Sequence, residues 1–292
     1  MDEVGLGKKL QDARKAAGLT QQDLCQRAGL SYSTLAKIER GAIKSPSIFT
    51  IQSIAAALGL SLGQLLGEPS PQAAVTSEVP KKVSKSGVKF VYFDINGCLV
   101  RFFHAAFTEL AATTGASADV IETTFWHYND AVCRGEMSLE DFNKVLAENL
   151  GVNTPFNWQD YYLRAVEPIS EMQELVSWAA EHYHVGLLSN IMPGFIDAML
   201  AKGLLPKIQY RSIIDSSKTG AIKPEQAIYE AAQHYAEVQP GEILLVDDSR
   251  ANIMAAEKMG WKVLWFDDFR PEQSVARVRQ ALEFEEENAN PS

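Results

Sequence analysis

Cysteine is scarce in this chain: three residues in 292, Cys25, Cys98 and Cys133, odd in number and far apart. With no Cys-x-x-Cys pair and no Cys/His cluster, the spacing excludes a disulfide framework and a structural zinc site. Long apolar runs are missing as well, and the N-terminus opens on Asp2 and Glu3 without the apolar core of a secretion signal. These absences lead to the expectation of a soluble cytoplasmic protein with no membrane partner. Basic residues are in short supply in one region only: Val88 to Ser292 holds 16 Lys/Arg against 30 Asp/Glu, whereas residues 1–66 hold eight against five. The net charge of −10 therefore hides a basic head on an acidic body. Such a distribution suits a protein whose head alone approaches a polyanion, although ordinary surface charge produces the same pattern.

A hydrophobic fraction of 46% over 292 residues is enough chain for two cores. Between them, residues 67–87 (GEPSPQAAVTSEVPKKVSKSG) contain three prolines, small polar residues and only valines for bulk. That composition cannot build a core, so the expected organisation is a head over residues 1–66, a flexible linker over 67–87, a body over 88–284 and a frayed tail over 285–292.

The head reads as a five-helix, all-α bundle. The first helix spans roughly Leu6 to Ala17; Thr20, with Asp23 at the reciprocal capping position, opens the second, which ends at Ala28-Gly29. Ser31 caps a third helix running to Gly41, Ser47 starts a fourth with Ile48, Ile51, Ile54, Ala55 and Leu58 at helical spacing, and Ser61 starts a short fifth. Leu24, Ala28, Leu30, Leu35 and Ile38 would fix the second and third helices at an angle, with Gly29 permitting the turn. The segment Leu19 to Gly41, LTQQDLCQRAGLSYSTLAKIERG, resembles the helix-turn-helix of lambda-type repressors and xenobiotic-response-element regulators. The resemblance implies binding to double-stranded DNA, with Gln21 and Gln22 at phosphates or base edges and Ser31, Tyr32, Ser33, Thr34 and Lys37 as the reading face. Taken singly, Ser31 reads equally as a helix cap, Tyr32 as a packing residue and Lys37 as a solvated charge. One such module makes few phosphate contacts, so a homodimer on paired half-sites is expected.

The body alternates strands with helices. Apolar strands are predicted at Val88 to Phe93, His184 to Leu188, Arg211 to Ile214, Ile243 to Val246 and Lys262 to Trp265. Alternation of this kind implies an α/β, Rossmann-like parallel sheet with helices on both faces, binding ligands at the carboxyl ends of its strands. At those ends stand Asp94, then Ser189-Asn190, then Lys223-Pro224 a little beyond the third strand, then Asp247-Asp248-Ser249. Each alone is weak evidence, since an acidic pair after a strand is often a helix cap and a single lysine is often on the surface. In this order and spacing they are similar to the motif set of the haloacid dehalogenase-like (HAD) superfamily. The resemblance implies an aspartate nucleophile at Asp94, a phosphoryl group held by Ser189, Asn190 and Lys223, and Mg2+ between Asp94, the carbonyl of Asn96 and Asp248, with Asp247 reached through water. Asn252 matches a polar position of the following helix.

Residues 101–170 read as a helical insertion directly after the first strand, with Ser138-Leu139-Glu140-Asp141 starting one helix. The superfamily places a cap there, which implies a small ligand; Phe102, Trp126, Tyr128 and Arg134 are candidates to line its pocket, although aromatic residues at helical spacing more often form the core. One position departs from the resemblance. Asn96 stands where a second aspartate shuttles the proton, and an amide cannot titrate, so the assisted step loses about two to four powers of ten. A slow phosphatase, a dehalogenase that dispenses with the second acid, and a former enzyme that binds phosphorylated ligands are all compatible with Asn96. The retained Asp247, Asp248 and Lys223 disfavour the metal-free dehalogenase. The expected function is a DNA-binding transcription regulator whose HAD-like body binds a small phosphorylated metabolite with weak or no turnover; the alternative is an active Mg2+-dependent phosphatase working through an aspartyl-phosphate.

Overall fold

The structure, a computed structural model, describes residues 3–43, 46, 48–58, 81–152 and 156–284. It divides into two compact units, Met1–Val79 and Pro80–Ser292.

In the first unit α1 (Glu3–Ala16), α2 (Gln21–Ala28), α3 (Tyr32–Glu39) and α4 (Ile48–Leu58) enclose a core of Leu10, Leu24, Leu35, Ile38, Ile51 and Ile54. The capping box is present: the Asp23 backbone N–H donates to Thr20 Oγ1 (3.2 Å), and the Thr20 N–H donates to the Asp23 carboxylate (2.8 Å). Gly29 follows at φ 66°, the left-handed conformation that ends α2 and that a side chain would resist. Ser31 Oγ accepts the Thr34 N–H at 3.1 Å and starts α3. The fifth helix, expected from Ser61, lies outside the described residues. Beneath this core, Arg14 forms a bidentate pair with Glu39, Nε to Oε1 at 2.7 Å and Nη2 to Oε2 at 3.0 Å. Its remaining nitrogen donates to the Leu19 carbonyl at 2.8 Å, so each of the three guanidinium nitrogens has a partner.

The second unit is built on β1 (Phe90–Phe93), β2 (His184–Ser189), β3 (Ser212–Asp215), β4 (Ile243–Asp247) and β5 (Lys262–Trp265), all parallel in the order β3-β2-β1-β4-β5. Successive residues face opposite layers. Val91, Phe93, Val185, Leu187, Leu244 and Val246 enter one core, while Phe90, Tyr92, Leu188, Ile243 and Leu245 enter the other. That is why these strands read as continuous apolar runs rather than alternating ones. Pairing of Ser189 with Asp215 carries β2 and β3 one residue further than their apolar runs, because backbone bonding continues after hydrophobicity stops.

Between β1 and α9 (Ser170–His182) lies the helical insertion: α5 (His104–Thr114), α6 (Ala118–Cys133), α7 (Leu139–Asn149) and α8 (Trp158–Ala165). Its interior is aromatic. Phe125 sits 5.1 Å from Phe107, 5.8 Å from Phe142 and 4.9 Å from Trp158 between ring centroids. The chain continues through α10 (Phe195–Lys202), the short α11 (Ser216–Thr219), α12 (Gln226–Ala236), α13 (Arg250–Lys258) and α14 (Pro271–Ala281). Of the stretch expected as a tether, residues 67–80 lie outside the described residues, and residues 81–87 run along the second unit. There the Lys82 N–H donates to the His182 carbonyl and the Lys85 N–H to that of Glu283, both at 2.7 Å. The tail from residue 285 is outside the described residues. No described helix is long and apolar enough to cross a membrane.

Candidate active site at the carboxyl edge of the sheet

Asp94 leaves β1 as its backbone N–H bonds the Val246 carbonyl at 3.0 Å, so the sheet ladder itself fixes the carboxylate. Facing it, the Lys223 ammonium lies 2.9 Å from Asp94 Oδ1 and 2.6 Å from Asp247 Oδ2, and donates to the Leu188 carbonyl at 2.8 Å. Burial works against the ammonium, but Asp247 and Asp94 outweigh it and raise its pKa. Asn190 sets the lysine: its Nδ2 donates to the Lys223 carbonyl (2.8 Å) and its Oδ1 accepts the Lys223 N–H (2.7 Å). With both side-chain atoms engaged, Asn190 acts on the site through Lys223.

Asp247 is fully buried and saturated. Oδ1 accepts the Ser249 N–H (2.8 Å) and Asn252 Nδ2 (3.0 Å), while Oδ2 takes Lys223. Asp248 is half-buried, and burial first, then Asp94 and Asp247, push its carboxyl up to about 7. Burial also raises Asp94, against the pull of Lys223 and with Asp247 adding to the effect. Carboxylate oxygens of Asp94, Asp247 and Asp248 lie within 4.8 Å of one another. Gly97, at φ 77°, makes that approach feasible, because a Cβ there would collide with the Asp248 carboxylate. One lysine among three carboxylates leaves two negative charges uncompensated when all ionise, which fits a divalent, oxygen-seeking cation. Ser189 Oγ is buried and makes no well-aligned hydrogen bond, although it interacts with the Asp94 carboxyl and favours its charged form, so the hydroxyl has capacity for a further partner.

Asn96 does not point at a proton-transfer partner. Its Oδ1 accepts the Tyr162 hydroxyl at 2.6 Å, a bond from the helical insertion to the loop after β1. Tyr162 was invisible to sequence reasoning, since Trp158-Gln-Asp-Tyr-Tyr reads only as an amphipathic helix. Between insertion and sheet edge is a cavity of about 30 Å³, lined by Asn96, Asn190 and aromatic residues including Phe103, Phe125 and Trp158. The candidates Phe102, Trp126, Tyr128 and Arg134 do not line it, and Phe102 and Tyr128 pack against the core instead. The neighbouring Phe103 and Phe125 line it, because the helix phase turns Trp126 toward solvent, 46% exposed. Arg134 instead pairs with Glu225 at 2.5 Å, fastening α6 beside the Lys223 loop.

On the helix-turn-helix, Gln22, Ser31, Tyr32, Ser33 and Lys37 are exposed and Thr34 is half-buried, with its hydroxyl 2.7 Å from that of Ser31. Gln21 differs. Its Nε2 donates to Glu39 Oε2 at 2.7 Å, which joins it to the Arg14 pair and leaves its carbonyl oxygen for other partners.

Residues 10–65 match the helix-turn-helix family and residues 88–260 the haloacid dehalogenase-like hydrolase family. The head is similar to the transcriptional regulator PuuR of Escherichia coli K12, 32% identical over 94 residues, covering 30% of this chain and 50% of that protein. It is also similar to the immunity repressor of Bacillus phage phi105, 36% identical over 84 residues, covering 27% and 58%. The chain thus spans about half the length of the curated relatives it matches. The body is similar in fold to a HAD family enzyme of Bacteroides thetaiotaomicron solved with magnesium and inorganic phosphate: TM-score 0.50, 18% identity, 62% of this chain and 94% of that one. A predicted HAD-like hydrolase of Porphyromonas gingivalis gives a TM-score of 0.56 at 22% identity, covering 66% and 98%. The motif residues, their convergence at the sheet edge and the family match over residues 88–260 agree: the chain belongs to the haloacid dehalogenase-like hydrolase family and carries a helix-turn-helix domain ahead of it.

Proposed function

We propose that this chain is a DNA-binding transcription regulator whose HAD-like body binds a small phosphorylated ligand with Mg2+ and turns it over slowly or not at all. The observation that carries the reading is the side chain at position 96. The Asn96 amide does not titrate, and its Oδ1 is occupied by the Tyr162 hydroxyl at 2.6 Å, while Asp94, Ser189, Lys223 and Asp248 keep a binding geometry. Asp94, the Asn96 carbonyl and Asp248 would hold the metal, which when bound offsets the repulsion between carboxylates and phosphoryl oxygens. Asp247, saturated by Lys223, Ser249 and Asn252, stands behind them. Ser189 Oγ and Lys223 supply the phosphoryl contacts, with Asn190 fixing the lysine. The fold relative solved with magnesium and phosphate supports this choice of ligand and metal.

In the head, the exposed Ser31, Tyr32, Ser33 and Lys37 with Gln22 form the surface for double-stranded DNA, Thr34 and Gln21 flanking it. The transcriptional-regulator and immunity-repressor relatives and the surplus of basic residues support that assignment. A homodimer would supply two such surfaces, and a ligand preferring one dimer geometry would shift DNA affinity.

The test is hydrolysis of an aryl phosphate with Mg2+. Wild type is expected to turn over far below about one per second, the low end of ordinary enzymes. Asn96→Asp is expected to raise the rate by about 10²–10⁴-fold by restoring the acid. Wild-type turnover at or above about one per second, abolished in Asp94→Asn, would sink the reading in favour of the active phosphatase.

A further inference from the structure

Building on the phosphoryl-binding reading, the charge pattern of the cap cavity restricts the rest of the ligand. None of its lining residues carries a charge at neutral pH: the aromatic residues Phe103, Phe125, Trp158, Tyr162 and Phe195 line it with Ile191 and Met192, and Asn96, Asn129 and Asn190 supply its amides. Cys133, also lining, is raised to about 12 by burial and then by Asp130 and Asp215, and remains a neutral thiol.

Charged groups nearby are committed elsewhere. Lys223 is held by Asp94 and Asp247, and Arg134 by Glu225 at 2.5 Å. Asp215 is the exception, since its Oδ1 accepts from the Ser217 N–H at 3.0 Å while its buried Oδ2 has only the exposed Lys218 at 3.6 Å; it does not line the cavity, and Asp130 is exposed. A carboxylate or an ammonium entering the cavity would lose its water and find no counter-charge. Size narrows the choice further. About 30 Å³ holds roughly two waters at about 10–15 Å³ each, so an organic group of about two heavy atoms fits without moving the insertion. Since Tyr162 occupies Asn96 Oδ1, the Asn96 NH2 is left to donate to an oxygen at the mouth of this cavity.

We infer that the ligand is a phosphomonoester with a short, uncharged organic group, which sits in the aromatic cavity while Asn96 Nδ2 donates to the ester oxygen. Matched two-carbon probes test this on the full chain with Mg2+ by titration calorimetry: inorganic phosphate, ethyl phosphate, phosphoglycolate and phosphoethanolamine. Ethyl phosphate is expected to bind at least as tightly as inorganic phosphate and about ten-fold or more tighter than either charged probe. Asn129→Asp, near-isosteric and half-buried, places a carboxylate on the wall and is expected to favour phosphoethanolamine over ethyl phosphate. Phosphate binding with a charged probe as tight as ethyl phosphate would overturn the inference and leave the phosphoryl reading standing. Binding by none of the four would overturn both.

Discussion

Each unit of this protein buries one cation against carboxylate, and the two centres differ in how completely they are satisfied. In the helical head, Arg14 meets the single carboxylate Glu39 through two bonds, its third nitrogen donates to Leu19, and Gln21 donates to Glu39 as well. Charge closes one to one, and every nitrogen of the cation has a partner. In the body, Lys223 faces Asp94 and Asp247 with Asp248 close by, and the Ser189 hydroxyl, next to Asp94, makes no well-aligned bond. That centre is left negative and incompletely bonded, which is the state expected of a site that receives a divalent metal and an anion. The difference separates a closed structural pair from one with the charge and bonding of a candidate site, although both look alike as a basic residue among apolar neighbours.

Removing each cation should break the comparison most sharply. Arg14→Met and Lys223→Met each strand buried carboxylate and are expected to cost their own unit about 3–5 kcal/mol, read by denaturation with hydrogen exchange resolving the two units. Mg2+ is expected to restore part of the body's loss and none of the head's. Equal response of both variants to Mg2+ would erase the distinction.

A smaller effect is expected from pH. The Asp248 carboxyl is raised to about 7 from an ordinary value of 3.8, so the native state binds more protons than the unfolded chain between those limits. Stability of the metal-free protein should therefore fall as pH rises through that window, and the Mg2+-induced rise in Tm should be larger near pH 8 than near pH 5, because the ligands must be deprotonated. A metal effect independent of pH would place Mg2+ away from Asp248. The smallest change is expected from Ser189→Ala. Deleting a buried hydroxyl that makes no well-aligned bond should leave stability within about 1 kcal/mol of wild type while weakening phosphate binding in calorimetry. A marked loss of stability would mean that Ser189 is as firmly bonded as Arg14.

Much of the site was legible because strand ends are legible. Asp94, Ser189 and Asp247 each terminate or directly follow an apolar run, and in a parallel sheet those positions converge whatever the intervening chain does. The capping box at Thr20 and Asp23 and the left-handed Gly29 were equally local, fixed by a few consecutive residues. The cavity wall was not. In the run Phe125-Trp126-His127-Tyr128 any residue could face the site, and the packing of α6 on Phe107, Phe142 and Trp158 chose Phe125.

The sequence by itself determined the two-part architecture, the order of the sheet-edge residues and the loss of a titrating acid at Asn96, since each depends on residue type and short-range spacing. Tertiary structure alone decided that Tyr162 binds Asn96, that Arg134 turns to Glu225 and that Asn190 serves Lys223. Those partners are 66, 91 and 33 residues apart in the chain, and no local periodicity encodes which side chains meet across such separations once helices pack on a sheet.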